Sequence, residues 1–134
     1  MSTYTIAITV PRPYDETVAA TRAALREQGF GILTEVDLAA TFKAKLDVDI
    51  QPQVILGACR PPLAYRAIQT EPSIATVLPC NVVVRSVSEQ TTVVEAFDPD
   101  AMRILADSSE LDAVAKDAKQ RLAAALTTLA EVTG

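Results

Sequence analysis

The sequence predicts an α+β domain with two layers, in which a curved and mainly antiparallel sheet of about five strands is covered by two longer helices. Three observations lead to this fold class. Strand-like and helix-like segments follow one another in the order β-α-β-(α)-β-(α)-β-β-α. A short turn separates the last two strand-like segments, which favours a hairpin. The 134 residues, 49% of them hydrophobic, are enough for one core and therefore for a single domain over residues 1–134.

The first strand and helix are predicted from alternation and from proline positions. In Thr3–Val10 the apolar side chains mostly alternate with threonines, which is typical of a strand with one buried face. Pro11 and Pro13 end this strand. The helix that follows has Asp15 in its first turn, where a negative charge is favourable, and Gly29 is a natural stop.

A second strand is predicted over Phe30–Val36, followed by a short helix that Asp37 caps and that reaches about Lys45. The apolar side of that helix is predicted to consist of Leu38, Phe42 and Leu46. A third strand is predicted over Gln53–Ala58, and its Val-Ile-Leu run indicates burial on both faces.

Prolines limit the next helix and strand. Two prolines at the start suit the first turn of a helix over about Pro61–Gln69, and Pro72 prevents its extension. The fourth strand is predicted over Thr76–Val87, with a local interruption at Pro79 because proline cannot donate a hydrogen bond to a neighbouring strand.

A hairpin and two helical segments complete the prediction. The fourth strand turns through Ser88–Gln90 into a fifth strand over Thr91–Phe97. Asp98-Pro99 opens a short helical turn, and the last helix runs from near Asp107 to about Ala130. The apolar stripe of this helix is predicted to be Leu111, Ala115, Ala118, Leu122, Ala125 and Leu129.

The charge of the chain excludes several classes of partner. The net charge is −5, the pI is near 4.6, and no basic run exists, so neither nucleic acid nor membrane is expected as a partner. No stretch approaches the roughly 18 apolar residues of a membrane span, and the N-terminal residues lack the pattern of a signal peptide. With two cysteines in all, the sequence predicts a cytoplasmic protein whose thiols are reduced.

The two cysteines are the strongest candidates for chemistry. The chain has no histidine, so thiols are its only strong soft ligands or nucleophiles. Cys59 lies between a strand and a helix that begins with proline, where backbone amides and Arg60 favour a thiolate of low pKa or a pocket for an anion. The alternative is that Cys59 is a small apolar residue buried at a tight junction.

Cys80 follows Pro79 and precedes Asn81, whose amide both donates and accepts hydrogen bonds. Cys80 either pairs with Cys59, as a redox couple or as two soft ligands, or is a core residue beside a turn-forming asparagine. Their separation in sequence fits no compact zinc site, and two thiolates do not complete the usual four zinc ligands, so no metal site is assigned.

The predicted topology brings the two cysteines to one end of the sheet. If the third and fourth strands are antiparallel neighbours, the end of one lies beside the start of the other. Cys59 and Cys80 then approach each other, with Asn81 and the first amides of the Pro61 helix in the same corner. A native disulfide is not expected in a reducing compartment.

Several short motifs, in their order along the chain, resemble a known family. These are Gly29-Phe30-Gly31, Leu56-Gly57-Ala58-Cys59 with Pro61-Pro62, Leu78-Pro79-Cys80-Asn81 and Asp98-Pro99. The series, over roughly residues 4–106, resembles the prokaryotic domain of unknown function three hundred and two. The resemblance implies a small α+β fold with a curved antiparallel sheet, usually met as a homodimer, and no established activity. The positions that fall on the pattern of the family include Cys59, Cys80, Asn81, Asp37 and Lys45, whereas Arg60 stands where asparagine is expected.

Two classes of function are open at this point. The first is a non-enzymatic dimeric binding module that holds a small ligand, favoured by the low aromatic content of 4% and by the lack of an acid–base constellation. The second is a thiol-dependent redox, sulfur-handling or soft-metal-binding protein that uses Cys59 and Cys80. The candidate binding residues are Cys59, Cys80, Asn81, Arg60, Asp37 and Lys45. No catalytic residue is assigned, the cofactor is unknown, and whether the chain is an enzyme is left open.

A homodimer is the expected assembly. The strands are rich in Val and Ile, and only two substantial helices are available to cover the sheet. One face or edge of the sheet is therefore expected to contact a second subunit.

Overall fold

The computed structural model describes residues 3–105 and 107–132. Five strands, four α-helices and two 3₁₀ segments follow one another along these residues. They are β1 Thr5–Val10, α1 Tyr14–Glu27, β2 Gly31–Asp37, α2 Leu38–Leu46, β3 Gln53–Cys59, α3 Pro61–Thr70, a first 3₁₀ segment Pro72–Val77, β4 Cys80–Ser88, β5 Thr91–Phe97, a second 3₁₀ segment Pro99–Ile104, and α4 Ser109–Val132. The predicted α+β fold class is confirmed.

The strands form one antiparallel sheet in the order β1-β5-β4-β3-β2. The hairpin of β4 and β5 lies at its centre, and β1 and β2 are its edges. β3 pairs with β4 in the register that sets Ala58 opposite Cys80 and Val54 opposite Val84. The first and third strands are thus separated by the later hairpin, which sequence order alone does not indicate.

One face of the sheet is buried and the other is not. Every second residue of β3, β4 and β5 joins the core formed with α1 and α4, namely Val54, Leu56, Ala58, Cys80, Val82, Val84, Val94 and Ala96. The residues between them on β4 and β5, including Asn81, Val83, Arg85 and Glu95, are partly or fully exposed, because α1 and α4 both pack on the opposite face. We call this second side the open face.

A second apolar cluster extends the core past one end of the sheet. It joins α3, both 3₁₀ segments and the first half of α4 through Leu63, Ala67, Ile74, Met102, Leu111, Val114, Ala115 and Ala118. Charge fixes the second 3₁₀ segment to α4, since Lys119 Nζ donates to Asp98 at 3.1 Å and to Asp100 at 2.7 Å. This anchor keeps Met102 buried against α4.

Two local predictions differ from the structure. The fourth strand is predicted from Thr76, but Pro72–Val77 form a 3₁₀ segment and β4 begins only at Cys80. The reason is Pro79, which has no N–H to donate to a ladder, so strand pairing begins after it. The apolar side predicted for α2 exists in the sequence, yet no residue of α2 is buried.

Crossing a bilayer requires a long, strongly apolar helix. None of the helices in the described part of the chain has that combination of length and hydropathy.

Candidate binding sites on the two sides of the sheet

The sheet register brings the two cysteines to the same end of the sheet. Cys80 opens β4 opposite Ala58, and Cys59 is the next residue along β3. Both are free cysteines. Cys80 is buried, with 8% of its surface exposed, whereas Cys59 is partly exposed.

A cavity of about 30 Å³ lies beside this pair. Its walls come from the end of β3, the start of β4, α3, the second 3₁₀ segment and α4. The lining residues are Phe30, Ala58, Cys59, Arg60, Leu63, Ala64, Ala67, Leu78, Cys80, Met102, Val114 and Ala118. Apart from Arg60 and the sulfur-containing residues, all the side chains in this lining are hydrocarbon.

Arg60 is the only charged residue of the cavity lining. Its Nε is buried and has no hydrogen-bond partner among the described residues. A Cβ placed on Gly29 would lie only 3.0 Å from this Nε, and Gly29 has a φ of +86°, so glycine at this position serves both the backbone turn and the close approach of Arg60. A buried donor without a partner has a free-energy cost of roughly 1–3 kcal/mol.

The start of α3 offers no free amides to an anion, contrary to the prediction. Pro61 and Pro62 have no N–H, and the next two amides, of Leu63 and Ala64, both donate to the carbonyl oxygen of Arg60 at 3.0 Å. The predicted pocket of helix amides is therefore wrong. The two prolines that made the helix start visible in the sequence also remove the donors that such a pocket needs.

The thiols do not have the low pKa that one interpretation of Cys59 required. Burial raises the pKa of the Cys59 thiol above its ordinary value of 9.0. Burial, and to a smaller extent the neighbouring Cys59, raises the pKa of Cys80 to about 11. The other interpretation, a small residue at a tight strand–helix junction, agrees with this direction.

The open face of the sheet holds a much larger groove, of about 470 Å³. It lies over β4 and β5 and extends toward β1, next to the point where the first 3₁₀ segment joins β4. Its lining residues are Tyr4, Thr5, Gln53, Val77, Pro79, Asn81, Val83, Arg85, Glu95 and Phe97. Asn81 is predicted beside the cysteines, but alternation along β4 places Asn81 and Cys80 on opposite sides of the sheet.

A hydrogen-bonded ion pair lies within this groove. Arg85 Nη1 donates to Glu95 Oε1 at 2.6 Å, and Thr5 Oγ1 donates to Glu95 Oε2 at 2.6 Å. The Thr5 hydrogen bond and then the Arg85 hydrogen bond lower the pKa of Glu95. Glu95 is therefore a fixed, ionised acceptor at neutral pH, while Arg85 keeps further N–H donors for a ligand.

Asp37 and Lys45, which the resemblance adds to the candidate set, lie elsewhere. Asp37 caps α2, because its carboxylate accepts a hydrogen bond from the Ala40 amide at 2.9 Å. Lys45 is exposed in the last turn of α2. Cys59, Cys80 and Arg60 thus line one cavity, whereas Asn81, Asp37 and Lys45 do not line it.

The groove residues Arg85, Glu95 and Phe97 are not among the predicted site residues. The signal of Arg85 and Glu95 in the sequence is two opposite charges, each beside a run of valines in one strand of the same hairpin. Metal-binding clusters of three or more Cys, Asp or Glu side chains do not occur within residues 3–105 and 107–132.

Comparison with known proteins agrees with the fold and names the family. The profile of the family described as Domain of unknown function DUF302 matches residues 6–129. The crystal structure of the uncharacterized conserved protein DUF302 from Bacillus stearothermophilus is similar, with a TM-score of 0.84 and 27% sequence identity. The match covers 94% of this chain and 98% of that one. The comparison with curated proteins gives no match. With nearly its whole length matched by the family profile, the chain belongs to the DUF302 family.

Proposed function

We propose that this protein is a cytoplasmic, non-enzymatic homodimer that binds a small, partly apolar ligand in the groove of the open face. The observation that carries the proposal is the groove itself. Its volume of about 470 Å³ falls within the range of roughly 300–1,000 Å³ that is typical of small-molecule sites. Two free cysteines are consistent with a reducing cytoplasm.

The groove combines apolar walls with a few polar groups, as ligand sites do. Val77, Pro79, Val83 and Phe97 supply the apolar walls. Asn81 and Gln53 supply amides, and the ion pair of Arg85 and Glu95 supplies fixed charges. Because both oxygens of Glu95 already accept hydrogen bonds and its pKa is lowered, the groove favours binding over proton transfer at neutral pH.

A dimer interface at the other end of the sheet fits this use of the groove. Five apolar side chains on or next to β2 and α2 are 36–66% exposed: Leu33, Val36, Leu46, Val48 and Ile50. We call them the β2–α2 patch. A helix as short as α2 is marginal without packing, yet it buries none of its residues within the chain.

The occupant that we propose for this patch is a second copy of the chain. β2 is an edge strand, and the natural complement of its unpaired backbone groups is another edge strand. Two-fold symmetry presents β2 and α2 of one copy to the same elements of the other, so each apolar side chain meets an apolar surface. The groove lies over β4 and β5 and stays open in such a dimer.

Replacing Leu46 with glutamate is expected to weaken the dimer. Leu46 is 66% exposed, so the change leaves the fold of one chain intact. In a two-fold interface it introduces two charges into an apolar contact, and we expect the dissociation constant to rise by at least about tenfold. Sedimentation velocity over a micromolar concentration series measures the effect.

The matched control is Ile104→Glu, which adds the same charge at a side chain that is 87% exposed and outside the patch. It should leave the dissociation constant unchanged. A wild-type protein that sediments as a monomer at micromolar concentration would remove the dimer from the proposal.

Placing lysine at Val83 is expected to block the groove. Val83 belongs to the apolar wall of the groove and lies opposite Glu95 in the sheet, so a long side chain at this position occupies ligand space. With the uncharged fluorescent probe N-phenyl-1-naphthylamine, we expect affinity to fall at least about tenfold. Fluorescence titration gives the dissociation constant.

Val87→Lys is the matched control, because Val87 also lies on β4 and does not line the groove. It should bind the probe as the wild type does. Equal affinity of Val83→Lys and wild type would show that the probe does not use this groove, and the proposed ligand site would be lost.

A further inference from the structure

The groove of the open face carries no net charge among the described residues. Arg85 and Glu95 are the charged residues of its lining. They pair with each other at 2.6 Å, and the hydroxyl of Thr5 donates to the second oxygen of Glu95, so the carboxylate is held in place. An ionised ligand would lose its hydration in this groove without meeting an uncompensated opposite charge, which costs free energy.

The groove has a polar end and an apolar end. Gln53 lies opposite Arg85 in the register of β3 and β4, and both residues line the groove. The other end lies at the start of β4, where Asn81 is about 13 Å from Arg85 along the strand. The apolar residues of the lining near that end are Val77, Pro79 and Phe97. A ligand that matches both ends has one polar group on an apolar body.

The polar end offers mainly hydrogen-bond donors. Among the described residues, Arg85 donates from Nη1 to Glu95 and keeps its remaining N–H groups. The amide of Gln53 adds two further N–H groups beside it. Both oxygens of Glu95 already accept hydrogen bonds. The polar group of the ligand is therefore expected to be an acceptor, such as a carbonyl oxygen.

We propose that the ligand of this groove is an uncharged carbonyl compound with an apolar body, whose oxygen accepts hydrogen bonds from Arg85 and Gln53. The inference rests on the proposed function, because it names the class of ligand for the same groove. The body of the ligand lies over Val83 and toward the apolar end. Glu95 determines the charge of the ligand, because its carboxylate cancels the charge of Arg85 and so excludes a carboxylate from the same place.

The test is displacement of N-phenyl-1-naphthylamine at neutral pH by three compounds of similar shape. These are the ketone 4-tert-butylacetophenone, the anion 4-tert-butylbenzoate and the cation 4-tert-butylbenzylammonium. We expect the wild type to bind the ketone at least about tenfold more tightly than either ion. The inference is overturned if the wild type binds the anion or the cation as tightly as the ketone.

Removing the charge of Glu95 is expected to change this selectivity. Glu95→Gln keeps the size of the side chain but leaves the charge of Arg85 uncompensated, so affinity for the anion should rise at least about tenfold relative to the ketone. The matched control is Glu110→Gln, which removes a carboxylate paired with Arg66 outside the groove and changes the net charge of the chain equally. This control should bind all three compounds as the wild type does. An unchanged selectivity of Glu95→Gln would overturn the inference.

The role of the carbonyl oxygen is tested with a variant that lacks both charges. Arg85→Met combined with Glu95→Gln keeps the groove neutral and removes the guanidinium donors. The ketone should bind this variant at least about tenfold more weakly than the wild type, because hydrogen bonds from a charged donor are lost. The hydrocarbon 1-tert-butyl-4-isopropylbenzene has no oxygen and should bind both proteins equally. If the ketone and the hydrocarbon lose affinity alike, the guanidinium does not recognise the oxygen and the inference is overturned.

Failure of this inference and failure of the proposed function give different results. If Val83→Lys binds N-phenyl-1-naphthylamine as tightly as the wild type, the groove is not the binding site and both are overturned. If Val83→Lys weakens binding of the probe but the anion binds the wild type as tightly as the ketone, the groove binds ligands and only the class of ligand is wrong. Circular dichroism establishes that each variant is folded, and the comparison of the three compounds on the wild type needs no variant.

Discussion

Replacing Gly57 with alanine is expected to lower the free energy of unfolding by about 2–3 kcal/mol, although alanine in a strand ordinarily helps by reducing the entropy of the unfolded chain. Gly57 lies in β3 between β2 and β4. A Cβ at this position would lie 2.8 Å from Pro79 Cγ and still closer to Thr34 Oγ1. The proline ring is rigid and the threonine is β-branched, so neither side chain can move away from the added methyl group without a cost in free energy. Urea denaturation should show a lower midpoint with an unchanged slope.

Gly31→Ala is the matched control for this prediction. Gly31 lies on the edge strand β2, and a Cβ there would meet its nearest atom, the Cys59 carbonyl oxygen, at an ordinary 3.8 Å. Its stability should stay within roughly 0.5 kcal/mol of the wild type. Adding Thr34→Ala to Gly57→Ala removes one of the two close contacts and should restore part of the loss. Equal stability of Gly57→Ala and the wild type would contradict the clash.

The strands and the two long helices could be predicted because their signals are local and regular. Alternation along Thr91–Phe97 and the apolar stripe of the last helix follow directly from which side chains face the core. The exception, the late start of β4 at Cys80, has a local cause in Pro79, but sequence alone does not decide how far the strand extends before it.

The order of the strands in the sheet and the packing of the helices are harder to predict from the sequence than the elements themselves. The β4–β5 hairpin lies between β1 and β3 in the sheet. This strand order depends on contacts between residues that are far apart in sequence, and no local sequence pattern indicates it. The apolar side of α2 can be recognised from the spacing of its apolar residues. The sequence does not show what covers that side, and within this chain α2 buries no residue. These are the features that only three-dimensional packing determines.

The candidate site could be predicted only in part for the same reason. The approach of Cys59 and Cys80 follows from antiparallel pairing, and the register places Cys80 opposite the neighbour of Cys59. Met102 could not be added from sequence, because it reaches the cavity through the packing of the second 3₁₀ segment on α4. The two prolines at the start of α3 have no N–H, so the sequence itself argues against a pocket of free amides there.

The protein is expected to lose stability between pH 9 and about pH 11 because of Cys80. Its pKa is 9.0 when unfolded and about 11 in the native state, where burial, and then the neighbouring Cys59, disfavours the thiolate. Below pH 9 the thiol is protonated in both states, so its contribution is fully present. Above pH 9 the unfolded chain releases the proton while the native chain retains it, so the free energy of unfolding falls with rising pH.

The difference between the two pKa values of Cys80 corresponds to roughly 3 kcal/mol over the whole interval, an effect large enough to measure by urea denaturation at pH 8 and pH 10.5. Tyrosines and lysines also titrate there, so the informative quantity is the change with pH in the wild type minus that in Cys80→Ala, which has no thiol at this position. Cys59→Ala, at a partly exposed thiol, should keep most of the wild-type pH dependence. If Cys80→Ala and the wild type lose the same free energy over this interval, Cys80 is ionised as readily in the native protein as in the unfolded chain, and burial does not raise its pKa.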